Sequence, residues 1–332
     1  MSFYMPAEWH PHERCWMAWP CHEDIWPHGI DEVRHSYAAV ANAISLFEPV
    51  TMVVRPTDAE TALAFLGPKT QLLEMELNDS WMRDMGPTFV IDDQGNKAGV
   101  NWVFNGWGKY PHDHDKLVTP SILRHLNLPC IDYNFVNEGG AIHVDGEGTV
   151  LLTETVQLNN NRNPNTDKEQ IESLLQKSIG ASKCIWFPRG LVDDDTDGHV
   201  DELACFISPG VVLALTTDDK NDSNYDILQT NLEILRSSTD AKGRSLEVRT
   251  IHKPADEKLG DVLLSKSYIN FYIANAGIIM PMYGDENADH QAYETIQKCF
   301  PERKVMQIDC REIVTGGGNI HCITQQEPKI IL

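Results

Sequence analysis

Apolar positions recur at helical spacing in four stretches of the chain. Within 31–47, Val33, Tyr37, Val40, Ile44 and Phe47 share one face of a 3.6-residue period, with Leu46 apolar beside them, which predicts an amphipathic helix. Thr166-Asp167-Lys168-Glu169 has the spacing of a capping box ahead of Ile171, Leu174, Leu175 and Ile179, and predicts a second. The stretches 226–235 and 288–300 predict two more. Short runs rich in β-branched residues lie between them. They predict strands at 50–54, 88–91, 149–152, 211–215, 268–273 and 329–332, with Ile323-Thr324 as a further short piece. Strands and helices therefore alternate, which argues an α/β fold.

Four polar-and-glycine clusters sit beside apolar runs: Arg83-Asp84-Met85-Gly86, Asn137-Glu138-Gly139-Gly140, Thr196-Asp197-Gly198-His199 and Gly317-Gly318-Asn319. Asp84 and Glu138 are 54 residues apart, and Glu138 and His199 are 61 apart. From His199 to Cys322 the interval is 123, about twice the others. A period of about 60 residues suits stacked or radial supersecondary units.

Composition sets bounds on this picture. With 332 residues, 42% of them hydrophobic, the chain can bury one large core or two smaller ones. No linker or low-complexity tract divides it. No apolar run approaches the ~20 residues of a membrane span, and the first residues lack a basic-then-apolar signal pattern. A cytoplasmic protein is expected. In that compartment the eight cysteines are thiols rather than disulfides, and the lack of a Cys-x-x-Cys pair argues against a finger-type zinc site. A formal charge of −22 repels nucleic acid and attracts cations. Most of that charge reads as a solvated face serving solubility.

The candidate chemistry comes from the clusters. Gly316-Gly317-Gly318 lets the backbone approach something small, and Cys322 follows as a candidate nucleophile. The acidic run from Asp193 to Glu202 fits the opening of a calcium loop, but its twelfth position is Ala204, so the essential bidentate carboxylate is missing. His199-x-Asp201, read as strand, puts imidazole and carboxylate on one face. Taken singly, Arg83-Asp84 reads as a structural ion pair and Glu138 as an exposed residue in a glycine turn. Cys15, Cys130, Cys184, Cys205, Cys299 and Cys310 lie in or beside apolar runs and read as small buried hydrophobes, while Cys21 lies in a polar turn. His10, His12, His22 and His28 are too irregularly spaced for a metal site and read as structural or surface residues.

Taken together, the clusters are far more specific. Trp81-x-Arg83-Asp84-x-Gly86-Pro87, Asn137-Glu138-Gly139-Gly140, Asp193-Asp194-Asp195-Thr196-Asp197-Gly198-His199-x-Asp201 and Gly316-Gly317-Gly318-Asn319-Ile320-His321-Cys322-Ile323-Thr324-Gln325-Gln326 follow in order. Ahead of them stand Pro6-Ala7-Glu8-Trp9 and Cys15-Trp16-Met17-Ala18-Trp19-Pro20. In this set, spread over nearly the whole chain, the sequence resembles the agmatine deiminase and bacterial peptidylarginine deiminase family of guanidino-group-modifying enzymes. The resemblance implies one domain over 1–332, folded as a five-bladed α/β propeller of ββαβ units with pseudo-fivefold symmetry. It implies a central substrate funnel, no metal and no organic cofactor, and a homodimer as the family expectation.

Carried over by motif, the resemblance makes Cys322 the nucleophile, Asp84 and Asp201 the carboxylates that grip the guanidinium, His199 the general acid and base, and Glu138 the acid that holds His199. Trp81 and Trp107 are expected to wall the funnel, and Gly318 to fit the backbone around a flat substrate. The implied reaction is hydrolysis of agmatine to N-carbamoylputrescine and ammonia through a thiouronium on the cysteine, in polyamine biosynthesis. A dication without a carboxylate suits a negative funnel, whereas free arginine calls for an Arg clamp, for which Arg83 stays open. Asn105-Gly106-Trp107-Gly108-Lys109-Tyr110-Pro111 is expected to shape the pocket for the distal amine. Three readings stand beside this one: a deiminase of free or peptidyl arginine, a non-catalytic polyamine-binding module, and a metal-dependent amidinohydrolase.

Overall fold

The computed structural model describes residues 3–331. The fold is mixed α/β, and one topology recurs in it five times. In each unit an antiparallel hairpin is followed by a helix and a third strand that pairs parallel to the second. The first complete unit runs through strands Thr88–Ile91, Lys97–Val103 and Cys130–Val136, with helix Val118–His125 as the crossover. The second uses Ile142–Val144, Thr149–Thr153, helix Lys168–Ile179 and Lys183–Phe187. The third uses Ala204–Ser208, Val211–Thr216, helix Tyr225–Ser237 and Glu247–His252. The fourth uses Tyr272–Ala274, Gly277–Met282, helix Glu286–Cys299 and Lys304–Asp309.

The fifth unit is assembled from both ends of the chain. Thr324–Pro328 pairs antiparallel with His12–Ala18, which pairs parallel with Val50–Val54 across helix Ile30–Ile44. Thr70–Glu74 adds a fourth strand. Val50–Val54 is buried along its whole length, which is why it reads as a continuous apolar run rather than an alternation. A two-stranded ribbon, Lys258–Leu259 with Val262–Leu263, stands apart from these sheets.

Several expectations from sequence shift. The last strand is Thr324–Pro328, not 329–332, and Leu332 lies outside the described residues. Its sequence is polar, yet all five residues are buried. Trp16 Nε1 donates to Glu327 at 3.0 Å, Arg83 to Gln326 Oε1 at 2.8 Å, and Gln325 Nε2 to the Pro87 carbonyl at 2.9 Å. Tertiary hydrogen bonds thus replace hydropathy as the reason for burial. The strand expected at 268–273 is only Tyr272–Ala274, because the chain turns before it. The capping box is one residue later than expected, with Asp167 and Gln170 as its reciprocal pair. Cys130 is exposed and Cys184 and Cys299 are half-buried, whereas Cys21 is buried. Among the described residues no helix is long and apolar enough to cross a membrane.

Candidate active site

Each unit delivers polar side chains just before its first strand. Asp84 lies in the short helix Met82–Met85 ahead of Thr88–Ile91, and Glu138 precedes Ile142–Val144. His199 and Asp201 precede Ala204–Ser208, and Cys322 precedes Thr324–Pro328. The doubled interval between His199 and Cys322 is explained by the fourth unit. There the turn before Tyr272–Ala274 presents Asn270, whose Nδ2 donates to Cys322 Sγ at 3.4 Å. Asn270 Oδ1 also accepts from the His321 backbone N–H at 2.9 Å. Sequence reasoning passed over Asn270, although the skipped period marked where to look.

His199 and Asp201 do not lie on a strand. Val200–Glu202 is a single 3₁₀ turn, entered through Asp197 and Gly198 at φ of 68° and 107°. A Cβ on Gly198 would meet the Gly190 backbone at 2.6 Å, so two chain segments touch where no side chain fits. The two residues converge all the same. A Cβ on Gly140 would lie 2.5 Å from His199 Nδ1, 2.9 Å from Asp201 Oδ2 and 3.1 Å from Asp84 Oδ1. Gly140 is therefore the floor on which three site residues meet.

A cavity of about 300 Å³ opens above them. Cys322, 8% exposed, and Asp84 reach its lining together with Trp81, Trp107, Tyr110 and Gly318. Asp201, His199 and Glu138 lie one layer deeper, and Glu138 is buried rather than exposed. Cys322 Sγ is 3.7 Å from Asp201 Oδ2. Asp84 accepts from the Gly140 N–H and from Trp107 Nε1, both at 2.9 Å. Trp107 is held at φ 55° between Gly106 and Gly108, so its backbone conformation aims the indole at that carboxylate. A Cβ on Gly318 would strike the Trp81 ring at 2.5 Å, which allows only glycine there. Asp79, Asp193 and Asp195 also line the cavity, with His22 beside Asp79, and among the described residues no Arg or Lys does.

Charge is concentrated around the imidazole. His199 Nε2 is 3.6 Å from Glu138 and Nδ1 is 3.9 Å from Asp84. Burial alone would lower its pKa, but Asp84, Glu138 and Asp201 outweigh burial and raise it to about 9. Burial, then Asp201, Glu202 and Asp84, push the Cys322 thiol well above its ordinary value. Arg162 was not anticipated from sequence. Its Nε donates to Glu138 at 2.6 Å and its Nη1 to the Trp107 carbonyl at 2.8 Å, so one guanidinium ties the two walls together. Glu202 was missed too. It is buried 4.0 Å from Cys322 Sγ, and burial followed by Asp201 and Asp194 pushes its carboxyl well above the usual range.

Arg83 does not pair with Asp84. It is buried and directed to Glu8 at 3.4 Å and to the His321 carbonyl at 3.2 Å. Glu8, His143 and His321 stand close enough for a metal triad. However, the Phe206 N–H donates to His143 Nδ1 at 3.2 Å, which puts that ring's proton on the Nε2 facing Glu8. Both nitrogens of His321 are engaged by carboxylates, and Arg83 adds a cation. His143 Nε2 and Arg83 Nη2 have no hydrogen-bond partner, but with both His321 nitrogens committed to carboxylates and the Arg83 cation beside Glu8 the group does not fit an ion.

The family described as Porphyromonas-type peptidyl-arginine deiminase matches residues 4–328. The chain belongs to this family. An agmatine deiminase of Pseudomonas syringae is 43% identical, covering 98% of this chain and 96% of its own. A Legionella pneumophila relative is 48% identical over 99% of this chain and 95% of its own. The solved structure of the Enterococcus faecalis agmatine deiminase superposes with a TM-score of 0.96 at 40% identity, covering 99% of this chain and 97% of its own. The deiminase family thus spans the cavity, its walls and all five repeated units.

Proposed function

We propose that this protein is an agmatine deiminase, hydrolysing agmatine to N-carbamoylputrescine and ammonia through a covalent intermediate on Cys322. The observation that carries the reading is a buried thiol at a cavity lined by carboxylates and indoles, with no Arg or Lys among the described residues of that lining. His199 Nε2 and Glu138 Oε2 face each other at 3.6 Å, and two buried polar atoms nearby have no partner at all, Asp201 Oδ1 and Glu202 Oε2. Such atoms are costly unless a ligand supplies their partners.

A guanidinium entering between Trp81 and Trp107 meets Asp84 first. Carried to Cys322, it comes within reach of Asp201, 3.7 Å beyond the sulfur. Two carboxylates on different edges fix the plane of the group and hold its carbon at the sulfur. The cation also supplies the positive charge that the free thiol lacks, so the thiol gives its proton to solvent water and becomes thiolate as substrate arrives. Sulfur attacks, forming the S–C bond. His199, protonated at neutral pH, gives its proton to the leaving nitrogen, and ammonia departs. The thiouronium remains. His199 then takes a proton from water, whose oxygen bonds to the carbon. The C–S bond breaks, the new O–H gives its proton to solvent water, and the neutral ureido product leaves with the sulfur restored as thiolate. Glu138, held by Arg162, keeps the imidazole in place for both transfers.

Agmatine is favoured over arginine because Arg83 turns away from the cavity, while Asp193 and, beside their contacts to His22 and Lys109, Asp79 and Asp195 offer carboxylates to a distal amine. Eight unpaired cysteines agree with a cytoplasmic setting. We read 1–332 as one catalytic unit whose five alike sheets are propeller blades. The support is that every blade contributes at its leading edge to the same neighbourhood around Cys322.

The test is product analysis with agmatine and, in parallel, arginine, after EDTA treatment. Ammonia with N-carbamoylputrescine from agmatine alone supports the reading. Turnover of arginine instead, or loss of activity to EDTA, overturns it.

A further inference from the structure

The N-terminal motif around Glu8 takes no part in the chemistry above, yet Glu8 is buried where three basic side chains meet. Its Oε1 accepts from His321 Nε2 at 2.8 Å and lies 3.4 Å from Arg83; its Oε2 lies 3.6 Å from His143. The other side of the His321 ring faces the site, with Nδ1 2.7 Å from Asp201 Oδ2. An ionised carboxylate only accepts, so a ring clasped between two of them carries a proton on each nitrogen. His321 is therefore an imidazolium. Its backbone is fixed as well, because its N–H donates to Asn270 and its carbonyl accepts from Arg83.

Asp201 is used unevenly as a result. Oδ2, the oxygen 3.7 Å from Cys322 Sγ, is also bonded by His321, while Oδ1 is buried with no partner. We propose that Glu8 and His321 are positioning residues: with Asp201 they form a carboxylate–imidazolium–carboxylate line that leaves Oδ1 for the guanidinium and keeps that carboxylate ionised. The proposal rests on Asp201 being a guanidinium ligand, as the reading above has it. Burial would raise the Asp201 pKa, but the His321 hydrogen bond and charge outweigh it and hold the group below the usual carboxylate range. The other charged or titratable groups facing this line are Arg83, His143 and Cys205 around Glu8, and His199, Asp84, Asp194, Glu202 and Cys322 around Asp201.

The experiment compares His321→Asn, Glu8→Gln and Asp201→Asn for agmatine kcat and KM across pH, with melting temperature measured alongside. Asn at 321 keeps an N–H near Asp201 but removes the charge. We expect kcat/KM to fall about 30-fold, mostly through KM, with its acid limb moved to higher pH because Asp201 then binds a proton more readily. Glu8→Gln should move the limb the same way, with about a 5-fold loss, and should add little on top of His321→Asn. A lowered melting temperature with an unmoved acid limb and unchanged KM overturns the proposal. If His321→Asn does not fold, the limb of Glu8→Gln decides alone. If Asp201→Asn itself turns over normally, the assignment of Asp201 fails, and the proposal with it. If only Asp201→Asn is impaired, the line fails while the site stands.

Discussion

Asp84 and Asp201 flank the same thiol, yet they are held in different ways. Asp84 reaches the cavity and takes its hydrogen bonds from two neutral donors, the Gly140 amide and the Trp107 indole, with the His199 imidazole 3.9 Å away. Burial leads the causes that leave its pKa raised. Asp201 lies deeper and is held by an imidazolium, which leaves its pKa lowered. The difference shows that depth does not decide ionisation. A carboxylate can be fully enclosed and remain an anion if its counter-charge is hydrogen-bonded to it, whereas the more distant His199 charge does not outweigh burial at Asp84, and the cation that arrives with the substrate adds to it.

The severest break is to remove what both carboxylates serve. Cys322→Ser should cost at least about ten-thousand-fold in kcat while agmatine still binds, measured by turnover and by calorimetry. Normal turnover would remove the thiol from the mechanism. Next comes Gly140→Ala, which strikes both carboxylates and His199 at once. We expect about a thousand-fold loss of kcat, and a loss under tenfold would mean the three side chains need not converge. Asp84→Asn should weaken kcat/KM by about 100-fold, but Trp107→Phe, which removes one neutral donor, by only about 10-fold. Equal losses would erase the distinction between the anion and its support.

A smaller effect concerns pH. The proton on His199 is held by carboxylates, so kcat/KM should fall as pH rises through about 9. Glu138→Gln removes one of them and should move that alkaline limb to lower pH. The same group bears on stability. Its folded pKa of about 9 exceeds the unfolded 6.5, so its contribution is complete below 6.5 and is lost as pH climbs through 9. Glu138→Gln should therefore lower the melting temperature more at pH 6 than at pH 9.5. The smallest change expected is a severalfold slowing of substrate capture at high salt, from the acidic mouth; a flat profile would leave Asp79, Asp193 and Asp195 without a steering role.

How much of this was legible followed the kind of signal each part leaves. Helices with a clear apolar stripe, such as Ile30–Ile44, and fully buried strands, such as Val50–Val54, could be read because their pattern is local. Thr324–Pro328 could not. Its burial depends on Trp16, Arg83 and the Pro87 carbonyl, all far away in sequence. At the site, the repeat and the motifs singled out Asp84, Glu138, His199, Asp201 and Cys322. Asn270 and Arg162 carry no glycine cluster beside them, and their importance lies in contacts across units. Arg83-Asp84 misleads in the opposite sense: adjacency in sequence looked like an ion pair, while the short helix sends the two side chains to different partners.

The fifth unit also bears on when activity can appear. Trp16 and Glu327, joined across 311 residues, belong to the two strands whose pairing sets the chain just after Cys322. A contact of that separation carries a large loop-closure cost and forms late. Four of the five contributions to the site can therefore be in place while the thiol is still adrift. Turnover then reports completion of the whole circuit, and deiminase activity should be the last property gained on refolding and the first lost as the seam between the chain's two ends opens.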